Sequence, residues 1–255
     1  MKKIIIGNLK LNLVNSAERE NYFNSFNSEI KKNELLNSEI VLCPPFIHLE
    51  KFVEKISRNG IMVGVQNIFI EDRGSFTGEI SPLMVKNFGG RFVIIGHSER
   101  RKYFGETNET CNEKIKAVLK NNLKPIYCVG ESEKEKKEDR TFEIIEKQIK
   151  EGLLDIPSTK VGEIVIAYEP IWAVGTDSVP ESNEIMKIKI LIRKILAQMC
   201  SSELAEKIPI LYGGSVKPKT AFQLCVNPGM DGALVGRESL IPAEFLKIAK
   251  IIDEN

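Results

Sequence analysis

Two side chains in this 255-residue sequence could transfer protons and a third could meet an anion, and each stands where the chain would aim it. Glu169 closes the stretch that begins with the apolar run Ile164-Val165-Ile166-Ala167, and Pro170 stops that run from pairing further. Its neighbours Tyr168, Ile171 and Trp172 are bulky and largely apolar, so they would partly desolvate a carboxylate, which suits a general base. His97 follows Ile94-Ile95-Gly96, and an imidazole there can polarise a carbonyl or pass a proton. Lys10 follows Ile4-Ile5-Ile6-Gly7-Asn8-Leu9 and offers a compact positive charge to an anion. Each residue also has a plainer reading. Glu169 could be a salt-bridge partner, His97 a structural histidine and Lys10 a solvated charge, while a Schiff base on Lys10 is the sharper rival. The other histidine, His48, begins a helix beyond Pro44-Pro45 and reads as structural. Two distant histidines without nearby acids predict no metal site.

Each of these residues closes a short apolar run. Such runs recur as Ile4–Ile6, Ile40–Leu42, Ile61–Val65, Ile94–Gly96, Pro125–Val129, Ile164–Ala167, Ile210–Tyr212 and Ala233–Val235. Between them apolar residues return at helical spacing, as in Tyr22, Phe26 and Ile30, or Cys111, Ile115, Val118 and Leu119. The runs are continuous rather than alternating, as expected for parallel strands covered on both faces. Eight strand–helix units without a linker predict one closed (β/α)8 TIM barrel spanning residues 1–255. A doubly wound open sheet finds no Gly-x-Gly-x-x-Gly or Walker sequence to support it. The charged stretch Glu131 to Arg140 is predicted to be an exposed loop and first turn.

A barrel keeps its chemistry at the carboxyl ends of its strands. Those ends carry Asn8 and Lys10, Gln66 and Asn67, His97-Ser98-Glu99, Glu131, Glu169, Gly213-Gly214-Ser215, and Gly236-Arg237. The glycine turns after the last two strands could be plain turns, or could hold a phosphate through backbone N–H groups, with Gly175 as a further donor. Together these residues describe a small anionic substrate and proton transfer. Lys plus Arg is 36 and Asp plus Glu is 35, so no long-range field favours nucleic acid or a membrane. Five scattered cysteines fit reduced thiols, and the apolar N-terminal run is short for a signal peptide, so a cytoplasmic location is expected. The long connection from Gln66 to Pro82 carries Phe76-Thr77 between small residues. Phe76 reads as an anchor for another subunit, or as packing on its own barrel.

Taken in order, these motifs resemble the triosephosphate isomerase family. The Asn-Trp-Lys-x-Asn opening appears as Asn8 to Asn12, the dimer loop is Gly74 to Glu79, and the Gly-His-Ser-Glu-Arg-Arg motif is Gly96 to Arg101. Cys128 to Glu131, Ala167 to Thr176, Tyr212 to Val216 and Asp231 to Gly236 match in turn. The resemblance implies interconversion of dihydroxyacetone phosphate and glyceraldehyde 3-phosphate without a cofactor, in glycolysis and gluconeogenesis. It implies Glu169 as base, His97 as carbonyl polariser, and Lys10 with Asn8 as electrostatic donors. Ser98 would hold Glu169 while a lid from Pro170 to about Pro180 stands open. Gly175, Ser215, Gly236 and Arg237 would meet the phosphate, and Glu99, Cys128, Trp172 and Tyr212 would support the site. Phe76 and Thr77 would enter a second subunit of a homodimer. Three positions depart from the family pattern: Leu9 for a tryptophan, Asp177-Ser178 in the lid, and Arg237 for a glycine. The expectation at Arg237 is that its backbone N–H still serves the phosphate while its side chain turns toward solvent or Glu238. The rivals are an aldolase-type barrel using a Lys10 Schiff base, and a barrel that binds phosphorylated ligands without turning them over.

Overall fold

A computed structural model describes residues 2–32, 37–57, 60–174 and 179–255. Its strands are β1 (Ile4–Asn8), β2 (Glu39–Cys43), β3 (Met62–Val65), β4 (Phe92–Ile95), β5 (Lys124–Val129), β6 (Val165–Tyr168), β7 (Ile210–Tyr212) and β8 (Gly232–Val235). Each pairs in parallel with the next, and β8 returns to β1, with Ile4 opposite Gly232 and Ile6 opposite Leu234. The closed barrel of the expectation is therefore present, with helices between successive strands.

The continuous apolar runs conceal a period of two, because successive strand side chains point to opposite faces. Ile4, Ile6, Val41, Phe92, Ile94, Ile126, Val165, Ala167, Leu211 and Leu234 pack with one another in the barrel interior. Their strand neighbours Ile5, Leu42, Val93, Tyr127, Ile166 and Ile210 face outward and pack with helix residues such as Phe23, Phe52 and Ile192. Both sets are almost fully buried.

Two stretches are more ordered than their sequence suggests. Glu133–Lys137, inside the charged run, is a short helix closed by a reciprocal Ser132–Glu135 capping box. The connection after β3 contains the helix Pro82–Asn87, capped by the Ser81 hydroxyl. Ahead of it, the neck of the loop is pinned by the Phe69 N–H on the Ile80 carbonyl at 2.8 Å.

Phe92 lies at the amino end of β4 and is wholly buried, away from the mouth where the site residues gather. Phe92→Ala should cost about 3–5 kcal/mol of folding stability. Denaturant unfolding measures that loss, and kinetic constants of the folded variant should stay close to those of the parent.

Candidate active site

The alternation that fills the barrel also delivers the site. Val165 and Ala167 point inward, so Glu169, two residues on, continues that phase into the mouth. Asn8 does the same after Ile4 and Ile6. His97 is out of phase with Phe92 and Ile94. Gly96 restores it by adopting φ of 72°, a left-handed turn that L-residues resist. That turn is satisfied from both sides, the Gly96 N–H donating to Glu106 Oε2 at 2.9 Å and its carbonyl accepting from Arg101 Nε at 2.8 Å. Glu106 is itself buried. Burial opposes its charge, but hydrogen bonds from Lys114 and Arg100 outweigh burial and hold its carboxyl below the usual range.

Glu169 is only 2% exposed. Its Oε2 accepts from the backbone N–H of Ser98 at 3.0 Å, while Oε1 stands 3.4 Å from His97 Nε2. The holding role expected of Ser98 thus belongs to its peptide group, which the first turn of the helix Ser98–Phe104 leaves without an intrahelical acceptor. The Glu99 N–H donates to His97 Nδ1 at 3.2 Å. Nδ1 is therefore an acceptor, and the proton of the neutral ring sits on Nε2, facing the base.

Lys10 adopts φ of 51°, an unfavourable conformation for a side chain of its size. Its N–H donates to Asn8 Oδ1 at 3.1 Å, and its carbonyl accepts from Gln66 Nε2 at 2.9 Å, which hold the turn in place. The same Gln66 amide reaches the Cys43 carbonyl at 3.0 Å and so spans the ends of two strands. Lys10 Nζ meets Glu99 Oε1 at 2.6 Å. Both side chains are partly exposed, so the pair is worth about 1 kcal/mol at most.

Across from these residues lie the turns after β7 and β8. Gly213, Gly214 and Ser215, with Gly236 and Arg237, line one cleft of about 430 Å³ shared with Lys10, His97 and Glu169. The buried Ser239 hydroxyl lies 2.6 Å from the Gly236 carbonyl and 3.2 Å from the Asn8 carbonyl, joining the β8 turn to β1. Arg237 opens a short 3-10 helix and has no positive φ, so an arginine in place of the glycine that the resemblance expects brings no left-handed strain to the turn. Its side chain is exposed and, among the described residues, makes no ion pair with Glu238. Leu9 is fully buried among core residues. Gly175, Asp177 and Ser178 lie outside the described residues.

The other residues expected to support the site and their partners lie on β5, β6, β7 and the segments that follow β5 and β6. Cys128 faces Glu169 from inside the barrel, and burial together with the Glu169 charge keeps its thiol well above the usual range and so protonated. Trp172 Nε1 donates to Glu131 Oε1 at 2.7 Å, and the Tyr168 hydroxyl reaches the same oxygen at 3.2 Å. Burial raises the Glu131 carboxyl, and the bond from Trp172 opposes it. Tyr212 is wholly buried at the end of β7, where burial pushes its phenol upward. Phe76, its ring tilted at 45° against that of Phe69 with centroids 4.6 Å apart, remains 44% exposed on the loop that also carries Thr77, whose side chain is exposed. Two charged residues of the site have no motif to announce them: Lys217 in the cleft wall, and Glu106 behind Gly96. Among the described residues, no group of His, Cys, Asp and Glu is arranged to hold a metal ion.

A family profile described as Triosephosphate isomerase matches residues 3–252. The chain belongs to the triosephosphate isomerase family. It is 44% identical over 249 residues to the triosephosphate isomerase of Dictyoglomus thermophilum, covering 98% of this chain and 99% of that one. The corresponding protein of Clostridium tetani is 44% identical over 97% of this chain and 95% of its own, and that of Endomicrobium trichonymphae 43% over 98% of each. The profile's range includes every described residue that lines the cleft.

The Ser98 contact yields a test. Ser98→Ala keeps the backbone N–H and should hold kcat within about threefold of the parent. Ser98→Pro removes that N–H at the first position of a helix, where proline is tolerated, after a residue already extended at φ −54° and ψ 141°. It should lower kcat about tenfold or more with little loss of thermal stability. Equal kcat in both variants would remove the Ser98 amide from the mechanism.

Proposed function

We propose that the cleft interconverts dihydroxyacetone phosphate and D-glyceraldehyde 3-phosphate by proton transfer through an enediolate, the step shared by glycolysis and gluconeogenesis. The carrying observation is the approach of Glu169 Oε1 to His97 Nε2 at 3.4 Å in a cleft that also holds Lys10 and two glycine turns. Glu169 takes the proton from the carbon beside the carbonyl and returns it to the neighbouring carbon. Neutral His97 donates from Nε2 to the developing oxyanion and moves a proton between the two oxygens. Lys10 leaves Glu99 to stabilise the phosphate and the enediolate charge, with Asn8 beside it. Ser215, Gly236 and Arg237, joined by Gly175, hold the phosphate through their backbone N–H groups. The lid then closes and excludes water from the intermediate. No cofactor is required, because both proton acceptors are side chains of the chain itself. Supporting this reading over a Schiff-base aldolase, Lys10 Nζ is engaged by a carboxylate rather than desolvated, as an amine nucleophile would be.

We also propose a homodimer in the cytoplasm. Phe76 protrudes on a loop whose base is tied by Asp72 to Lys120 at 3.0 Å and to Asn121 at 2.8 Å. Leu11, Val14 and Ile47, on the β1 and β2 loops, are 91%, 76% and 80% exposed. Such apolar exposure favours burial against a second copy. Among the described residues, no helix is long and apolar enough to cross a membrane.

A coupled isomerase assay on the purified protein should show turnover without added metal or cofactor. Glu169→Asp, which withdraws the carboxylate by one methylene, should lower kcat about 10²–10⁴-fold and move KM far less. Substrate trapped on the protein by borohydride would instead favour the Schiff-base reading.

Phe76→Asp should shift the protein to a monomer by sedimentation and remove most activity while the circular dichroism survives. A fully active monomeric parent protein would refute the shared site.

A further inference from the structure

Glu169 rests on a segment of β5 and its loop. The Glu169 N–H donates to the Val129 carbonyl at 2.8 Å, and the Ile171 N–H to the Glu131 carbonyl at 3.1 Å. Between them, Gly130 lies flat against the base: a Cβ there would stand 1.8 Å from the Glu169 carbonyl oxygen, closer than any real contact. The position of the base therefore depends on where the peptide groups of Gly130 are held. Gly130 is buried, and its N–H and C=O are both taken by one side chain from the helix Thr141–Gly152. Gln148 accepts the Gly130 N–H at Oε1, 2.8 Å away, and donates from Nε2 to the Gly130 carbonyl at 3.0 Å. Gln148 is fixed in turn, since the Tyr127 hydroxyl donates to its backbone carbonyl at 2.7 Å.

We propose that Gln148 is a positioning residue for the catalytic base. It does not touch the cleft. It clamps Gly130 from outside the barrel, and Gly130 sets the height and tilt of the Glu169 backbone at the mouth. The proposal rests on Glu169 being the base. An amide suits the task because it alone offers a donor and an acceptor, neutral at every working pH, at the spacing of one residue's N–H and C=O. A carboxylate at 148 would accept from the N–H but set a negative oxygen against the carbonyl. A leucine would leave both buried groups unpaired.

The test uses the full-length enzyme with two substitutions at 148 and one at 169. Gln148→Leu should lower kcat about tenfold to a hundredfold, the scale of a 1 Å misplacement of a reacting group. KM for the triose phosphate and inhibition by inorganic phosphate, set by the opposite wall of the cleft, should each change by less than about threefold. Gln148→Glu supplies the reading that a merely structural role would not move. Its carboxyl, once protonated, donates and accepts as the amide does. The ratio of its kcat to that of the parent at the same pH should therefore climb as pH falls toward the ordinary carboxylate range. The charged groups around position 148 (Arg101, Glu109, Glu135, Lys147 and Glu151) are common to parent and variant, so the ratio cancels their titration. A Gln148→Leu enzyme with kcat within about twofold of the parent overturns the proposal. If Gln148→Leu does not fold, a kcat ratio for Gln148→Glu that is flat with pH overturns it equally. Glu169→Asp separates the two ideas. Full turnover in Glu169→Asp overturns the assignment of the base, and the clamp with it. A crippled Glu169→Asp beside a normal Gln148→Leu overturns the clamp alone.

Discussion

The two-residue alternation of side chains along a parallel strand is the constraint on which this molecule depends. Closing β1 to β8 makes the inward direction common to all strands. The residues that fill the barrel, such as Ile6, Ala167, Leu211 and Leu234, then fix the direction of whatever follows two residues later. Asn8, Glu169, Gly213 and Gly236 are those following residues, and all four line the cleft. A one-residue slip in any of these strands would turn its functional residue into the helix layer, so core packing and chemistry select the same register.

Where the chemistry needs a side chain out of this phase, the backbone leaves its ordinary conformation and is tied down. His97 enters through the left-handed Gly96, held by Glu106 and Arg101. Lys10 enters through its own left-handed turn, held by Asn8 and Gln66. These turns cost free energy locally, and the hydrogen bonds that tie them down offset that cost. The second layer of polar residues is thus a consequence of the first, since each displaced peptide must find partners for its N–H and C=O.

Charge in the cleft follows the same economy. Lys10, Glu99, His97 and Glu169 stand in sequence at 2.6, 3.7 and 3.4 Å. The pair at the exposed end is weakly bound and open to exchange, whereas the carboxylate at the buried end is held by a backbone amide. The Lys10–Glu99 pair can therefore exchange without loosening the bond that holds Glu169.

The amino-acid sequence by itself determined the barrel, the location of the strands, and the identities of Lys10, His97 and Glu169. Those features are local: an apolar run and the residue that ends it lie within a few positions of each other. It also marked the loop bearing Phe76 and the two glycine turns. What it did not disclose is how these residues are held. Nothing near Glu106 or Gln148 in the chain distinguishes them from other polar residues in loops or helices, and Gln66 is marked only as a residue at a strand end. Gln148 meets Gly130 across 18 positions, and Gln66 meets Lys10 across 56. Likewise, the resemblance gave Ser98 a hold on Glu169 without naming the group, and the helix that starts there put its peptide N–H on that carboxylate. Only the tertiary structure decided these matters. A hydrogen bond is set by distances of a fraction of an ångström between groups far apart in the chain, and those distances exist only once the barrel has closed.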